Sequence, residues 1–180
     1  MNSVIAAVSA LFFTINVQLI DVTPNLDIES ELKNVVYDES CEYVATDLGI
    51  IKIEKDDLEM LAKLVWGEAR GIKSIDERAA VVWCVLNRVD AGYGKDIRAV
   101  VTSPGQFTGY RRSNPVTDEF YNLALDVVTR WNLEKMGLEN SGRVLPKEYL
   151  YFAGKGGRNY FRTSYRAAGR WDWSLESPYV

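Results

Sequence analysis

The sequence predicts an α+β fold: a mainly helical domain closed by a small antiparallel β-sheet near its C-terminus. Three observations carry this. Between residues 57 and 135 apolar residues recur at helical spacing, in segments separated by glycine, proline and capping residues. From 149 to 163 the pattern changes to two aromatic-rich runs flanking Gly154-Lys155-Gly156-Gly157, which reads as a β-hairpin. The composition, 47% hydrophobic and 26% charged over 180 residues, suits one compact domain with an extension, large enough to build a core without a covalent staple.

The elements follow in order. Residues 1–20 carry no charge, and 4–15 form an apolar run of the length found in signal peptides. Asn16 and Gln18 weaken a transmembrane reading, which wants about 20 strongly apolar residues. No Lys or Arg precedes the run, and no small-x-small cleavage site follows it. We read 1–20 as a signal or membrane-proximal anchor, which implies a secreted or envelope-facing protein; the alternative is a hydrophobic strand or helix of the fold. Residues 21–54 are acidic and lack helical periodicity, so they read as a linker with one or two short strands near 43–53. The organised domain is expected at 55–180.

Leu58, Leu61, Ala62, Val65 and Trp66 predict a helix over 57–69, with Gly71 as its stop. Ser74-Ile75-Asp76-Glu77 has the S-x-x-E capping-box pattern and opens a second helix reaching about residue 90. Gly92-Tyr93-Gly94 is a turn, 96–102 a short helix ended by Ser103-Pro104-Gly105, and Thr117 caps a helix over 118–135.

The absence of histidine excludes much chemistry. Ser-His-Asp and Cys-His sites need an imidazole base, and zinc peptidase sites almost always use histidine ligands. Cys41 and Cys84 form no CxxC pair, so no metal site is expected; Cys84 lies in an apolar helical run and reads as a core thiol. Hydrolytic chemistry would fall to carboxylates. Charge is uneven: residues 1–60 hold 3 Lys/Arg and 12 Asp/Glu, a net −9, and 61–180 hold 18 and 13, a net +5. A basic domain suits an anionic polymer such as bacterial wall or nucleic acid, or is simply a solvated surface. No RNP, KH or helix-turn-helix pattern supports nucleic acid as a partner.

The segment that points to chemistry is Leu64-Val65-Trp66-Gly67-Glu68-Ala69-Arg70-Gly71. A carboxylate at the C-terminus of an apolar helix meets the negative end of the helix dipole, and apolar neighbours such as Trp66 disfavour the anion. Both favour the protonated acid that a glycosidic general acid needs. Arg70 would pull the other way if it paired with Glu68, and a surface Glu–Arg pair at a helix end is the plain alternative. Two further blocks stand downstream: residues 77–89 read Glu-Arg-Ala-Ala-Val-Val-Trp-Cys-Val-Leu-Asn-Arg-Val, and 97–107 read Ile-Arg-Ala-Val-Val-Thr-Ser-Pro-Gly-Gln-Phe.

In order and spacing these three blocks resemble the SleB/CwlJ family of cell wall hydrolases, in which a GEARGE-like segment precedes an apolar helix ending in LNR and a VV-x-x-PGQF-like segment. With the hairpin tail the resemblance covers roughly residues 55–170. It implies a lysozyme-like fold related to lytic transglycosylases, with 55–180 as the catalytic domain and Glu68 as the catalytic acid. It implies that Gln106 and Phe107 lie in the glycan cleft, and that the tail around Tyr151 and Tyr160 forms the closing sheet. We expect Gln106 to point into the same concavity as Glu68, Tyr151 or Tyr160 to line the opposite wall, and Arg70 to contact substrate. Phe107 as a core plug is the competing reading. The chain departs from many members in having Gly157-Arg158-Asn159 where they carry histidine, and Ile72 where an acid is usual.

The expected reaction is cleavage of peptidoglycan glycan strands by a single acid. Glu68 protonates the glycosidic oxygen, then takes the proton from the 6-hydroxyl of N-acetylmuramic acid, giving a 1,6-anhydro product without metal or cofactor. The wall could be vegetative or spore cortex, and a monomer is expected. A water-using muramidase would need a second carboxylate. Asp76, Glu77, Asp96 and Asp118 are the candidates, although capping and helix starts explain them better. A non-catalytic wall-binding module is the alternative from another class.

Overall fold

The computed structural model describes residues 38–179. The signal or anchor reading of 1–20 and the first part of the linker reading lie outside the described residues. Among those residues the fold is α+β, with eight elements: β1 Cys41–Thr46, β2 Gly49–Glu54, α1 Lys55–Ala69, α2 Ile75–Asp90, α3 Ile97–Val101, α4 Asp118–Lys135, β3 Tyr151–Lys155 and β4 Arg158–Arg162. The strands make two separate antiparallel pairs, β1–β2 and β3–β4. No described helix is long and apolar enough to cross a membrane.

Helix α2 is the axis of the core. From Ala79 to Leu86 every residue is fully buried, as expected of a helix apolar on all sides. Leu58, Leu61, Leu64 and Val65 of α1 and Ala124 and Val127 of α4 pack with it in one cluster. Burial pushes the Cys84 thiol up to about 12, and both described cysteines are free. The predicted caps form: Ser74 Oγ accepts from Glu77 N, Asp96 Oδ1 from Ala99 N and Thr117 Oγ1 from Phe120 N. Helix α1 has no side-chain cap, because β2 runs directly into it; Asp56 and Asp57 in its first turn complement the dipole instead.

One boundary moves. The linker expected to end at 54 contains a hairpin, β1–β2, in register from Cys41↔Glu54 to Thr46↔Gly49. The short strands foreseen near 43–53 exist, but they belong to the folded unit. Ile51 and Ile53 are each 4% exposed and sit in the core cluster, while Lys52 and Glu54 alternate outward. The Tyr121 hydroxyl of α4 also donates to Glu42 of β1 at 2.9 Å. Charged Lys52 and Glu54 at the outward positions, within a stretch rich in acidic residues, masked the period-2 apolar face.

The second hairpin is as expected. Its register runs from Tyr151↔Arg162 to Lys155↔Arg158, leaving a two-residue turn, Gly156-Gly157, at φ 62 and 75. Positive φ at both central residues is what a type I′ turn demands, and glycine supplies it without strain. Phe161 faces the core at 1% exposed. The tail is fastened to the end of α2. Asn87 Nδ2 donates to Pro146 O at 2.8 Å and Tyr149 O at 3.0 Å, and Arg88 Nε donates to Leu150 O at 2.6 Å. The Leu-Asn-Arg block is therefore a clamp for the hairpin.

Candidate active site

Glu68 stands half-buried in the last turn of α1. The loop after α3 packs on this turn through an unusually close backbone approach. A Cβ on Gly67 would lie 2.0 Å from Gly109 O, and one on Gly109 would lie 2.6 Å from Gly67 O and 2.9 Å from Glu68 Cδ. Only glycine fits at either position without movement of backbone. Asn114 locks the approach, its Nδ2 donating to Lys63 O and to Gly109 O, both at 2.9 Å. The result is a fixed geometry for the carboxyl group: Gly109 N donates to Glu68 Oε1 at 2.6 Å. One carboxyl oxygen is thus oriented by backbone, and Oε2 has no hydrogen-bond partner among the described residues.

Arg70 does not pair with Glu68. Its guanidinium lies 4.3 Å above the Trp66 ring, and Nη1 donates to Trp66 O at 3.3 Å. The surface Glu–Arg pair is therefore not what this segment forms.

Glu68 opens onto a hollow of about 380 Å³. One wall is residues 67–72, the end of α1 and the turn after it; the other is residues 154–159, the tip of the β3–β4 hairpin. Among these lining residues Glu68 is the one carboxylate, and Arg70, Lys155 and Arg158 are cations. Asn159 forms part of the hairpin wall. Its backbone N donates to Glu77 Oε2 at 3.0 Å, with both residues buried, and its Nδ2 has no acceptor among the described residues. Glu77 thus does more than open a helix: the Ser74 cap forms, but the carboxylate reaches across to hold the hairpin tip.

The structure divides the residues predicted from sequence. Glu68 and Arg70 share the hollow; Gln106, Phe107, Tyr151 and Tyr160 do not line it. Gln106 is exposed, and its Oε1 accepts from Arg88 Nη1 at 2.8 Å beside a separate hollow of about 40 Å³. The expectation that its amide shares the Glu68 concavity is corrected. Arg88, 4% exposed and without a hydrogen-bonded carboxylate among the described residues, takes Gln106 as an acceptor. Phe107 is 7% exposed, its ring 4.7 Å from the Arg88 guanidinium and 6.1 Å from Phe152, so it is the core plug. Tyr151 meets the Tyr93 hydroxyl at 2.8 Å, and Tyr160 lies under the Arg170 guanidinium at 4.3 Å. Strand alternation puts both tyrosines on the face opposite Phe152 and Phe161, away from the core.

The candidate second carboxylates are engaged or distant. Asp76 Oδ1 accepts from Ser177 Oγ at 2.7 Å, Glu77 holds Asn159, Asp96 caps α3, and Asp118 is exposed at the start of α4. None of the four lines the hollow. Sequence reasoning missed Gly109, Asn114 and the basic hairpin tip; Gly109 follows the Pro-Gly-Gln-Phe block by two residues, which was the available signal. The chain matches no family model, no curated protein and no solved structure.

Proposed function

We propose that the protein cleaves the glycan strand of peptidoglycan as a lytic transglycosylase, with Glu68 as acid and then base. The observation that carries this reading is a lone carboxylate in a hollow between a helix end and a hairpin tip, its Oε1 held by a backbone N–H. The resemblance to the SleB/CwlJ family, with its lysozyme-like fold, supports it. With Oε1 oriented by Gly109, Oε2 is the oxygen that delivers the proton to the glycosidic oxygen. The C1–O bond breaks as the sugar gains oxocarbenium character. The carboxylate then removes the proton from the C6 hydroxyl of the N-acetylmuramic acid unit, and that oxygen closes onto C1. The atoms balance without water, metal or cofactor: one glycosidic bond becomes an anhydro ring and a free hydroxyl, and Glu68 ends protonated as it began.

A muramidase would place a second carboxylate roughly 5–9.5 Å from the acid. The lining residues offer none, which favours the single-acid route. The substrate lies outside the cytoplasmic membrane, so this reading carries a secreted or envelope location with it, and it needs no partner beyond the wall. Digestion of purified peptidoglycan followed by mass analysis of the fragments is the test. Anhydro ends, each lacking one water relative to a reducing end, are expected. Reducing ends would make the protein a muramidase, and wall binding without cleavage would make it a binding module.

A further inference from the structure

The hairpin tip carries an arrangement that the cleavage chemistry does not use. Lys155 and Arg158 are direct cross-strand partners on either side of the Gly156-Gly157 turn. Like charges placed directly opposite destabilise a strand pair. The turn needs its two glycines but no cations at its flanks. Most of the other strand and helix cations have an acid nearby: Lys52 with Asp38, Lys63 with Glu59, Arg130 with Asp126. Lys155 and Arg158 are exposed, and their side chains have no ion pair or hydrogen bond among the described residues. Both line the hollow that holds Glu68, and Arg70 stands on its other wall. Three cations therefore surround one carboxylate in a concave site, where the field of a charge cluster is focused.

We infer that Lys155 and Arg158 read a carboxylate on the sugar seated beside Glu68, so that the protein selects glycan carrying a free acid over its neutral forms. This rests on the reading of Glu68 as the cleavage site. A glycan bound there must present an anion to the hairpin wall while its glycosidic oxygen faces Oε2. The muramic acid unit meets this requirement through its lactyl side chain, either as the free acid or through the carboxylates of a peptide attached to it. A bound carboxylate would also lie between the two like charges and relieve their repulsion.

The test separates recognition from cleavage. Binding is measured by calorimetry on the Glu68→Gln protein, which cannot turn over. The probes are the N-acetylglucosaminyl-N-acetylmuramic acid disaccharide as free acid, its lactyl carboxamide, and the carboxamide extended by an alanyl-glutamate dipeptide. The free acid should bind at least about tenfold tighter than the carboxamide. Recovery of affinity by the dipeptide form would place the recognised acid on the peptide instead. Adding Lys155→Gln and Arg158→Gln should bring the acid and the carboxamide to equal affinity, and Lys155→Glu alone should do the same by pairing Arg158. Equal affinity of all three probes for the Glu68→Gln protein would overturn the inference, as would a preference that survives the tip substitutions. Either failure, with wild-type protein still lysing wall, leaves the cleavage reading intact. An acid preference in a protein that cleaves no wall removes the cleavage reading and keeps the recognition.

Discussion

Replacing Glu68 by glutamine keeps the side chain's shape and its acceptor for the Gly109 N–H, but removes the proton donor. Loss of general acid–base catalysis costs about 10²–10⁴-fold. Lysis of a purified wall suspension should fall by at least about 100-fold while the circular-dichroism melt is unchanged; a variant retaining most of its lytic rate would sink the assignment. Gln106→Ala is the matching control. The side chain serves Arg88 and lies outside the Glu68 hollow, so lysis should stay within about twofold of wild type. A large loss would return Gln106 to the cleft. Of the residues that matter here, Glu68 was legible because glycines and a helix end isolate it in the sequence. Gly109 and Asn114 were not, because a close backbone approach and a side-chain bond to two carbonyls have no local pattern.

At the level of elements, periodicity and capping located α1 to α4 and the Gly-Gly hairpin. The β1–β2 hairpin shows where that reasoning runs out. Its strands were visible, but its attachment to the core was hidden by the acidic residues around it. Ile53→Ala tests the attachment. Truncating a fully buried isoleucine costs about 2–5 kcal/mol, and Ile53 is 4% exposed in the core cluster. The midpoint of urea unfolding should drop accordingly. An unchanged midpoint would mean that the domain does begin at 55, as composition suggested.

At the scale of the whole molecule the candidate site is assembled from distant stretches: 67–72 on one wall, 154–159 on the other, and Gly109 behind the carboxylate. The hairpin wall exists only when the tail docks on α2. Asn87 makes that docking through two carbonyls, and Arg143 Nη1 in turn donates to Asn87 Oδ1 at 2.6 Å. Asn87→Leu leaves those carbonyls and Arg143 short of a partner, at about 1–3 kcal/mol for each group left unsatisfied. Lysis should fall, and amide hydrogen exchange should quicken in β3 and β4 before it does in α2. Uniform quickening across the domain would show instead that tail and helices unfold as one unit. The sequence announced the Asn87-Arg88 pair as part of a block, but its partners lie about 60 positions downstream, a separation that no local pattern encodes.

The contact between Gly67 and Gly109 has an evolutionary consequence. Two hydrogens stand where any other amino acid would put a carbon, and the nearest opposing atoms are main chain, which cannot be exchanged by mutation. No compensating change at the partner position can make room, since each is already the smallest residue. In a library of every single substitution selected for wall lysis, positions 67 and 109 should return glycine alone, and no second-site revertant should restore a Gly67→Ala or Gly109→Ala clone by altering the other. Lineages that keep the proposed activity should be confined to one residue at both places, while the exposed position 106 should tolerate change.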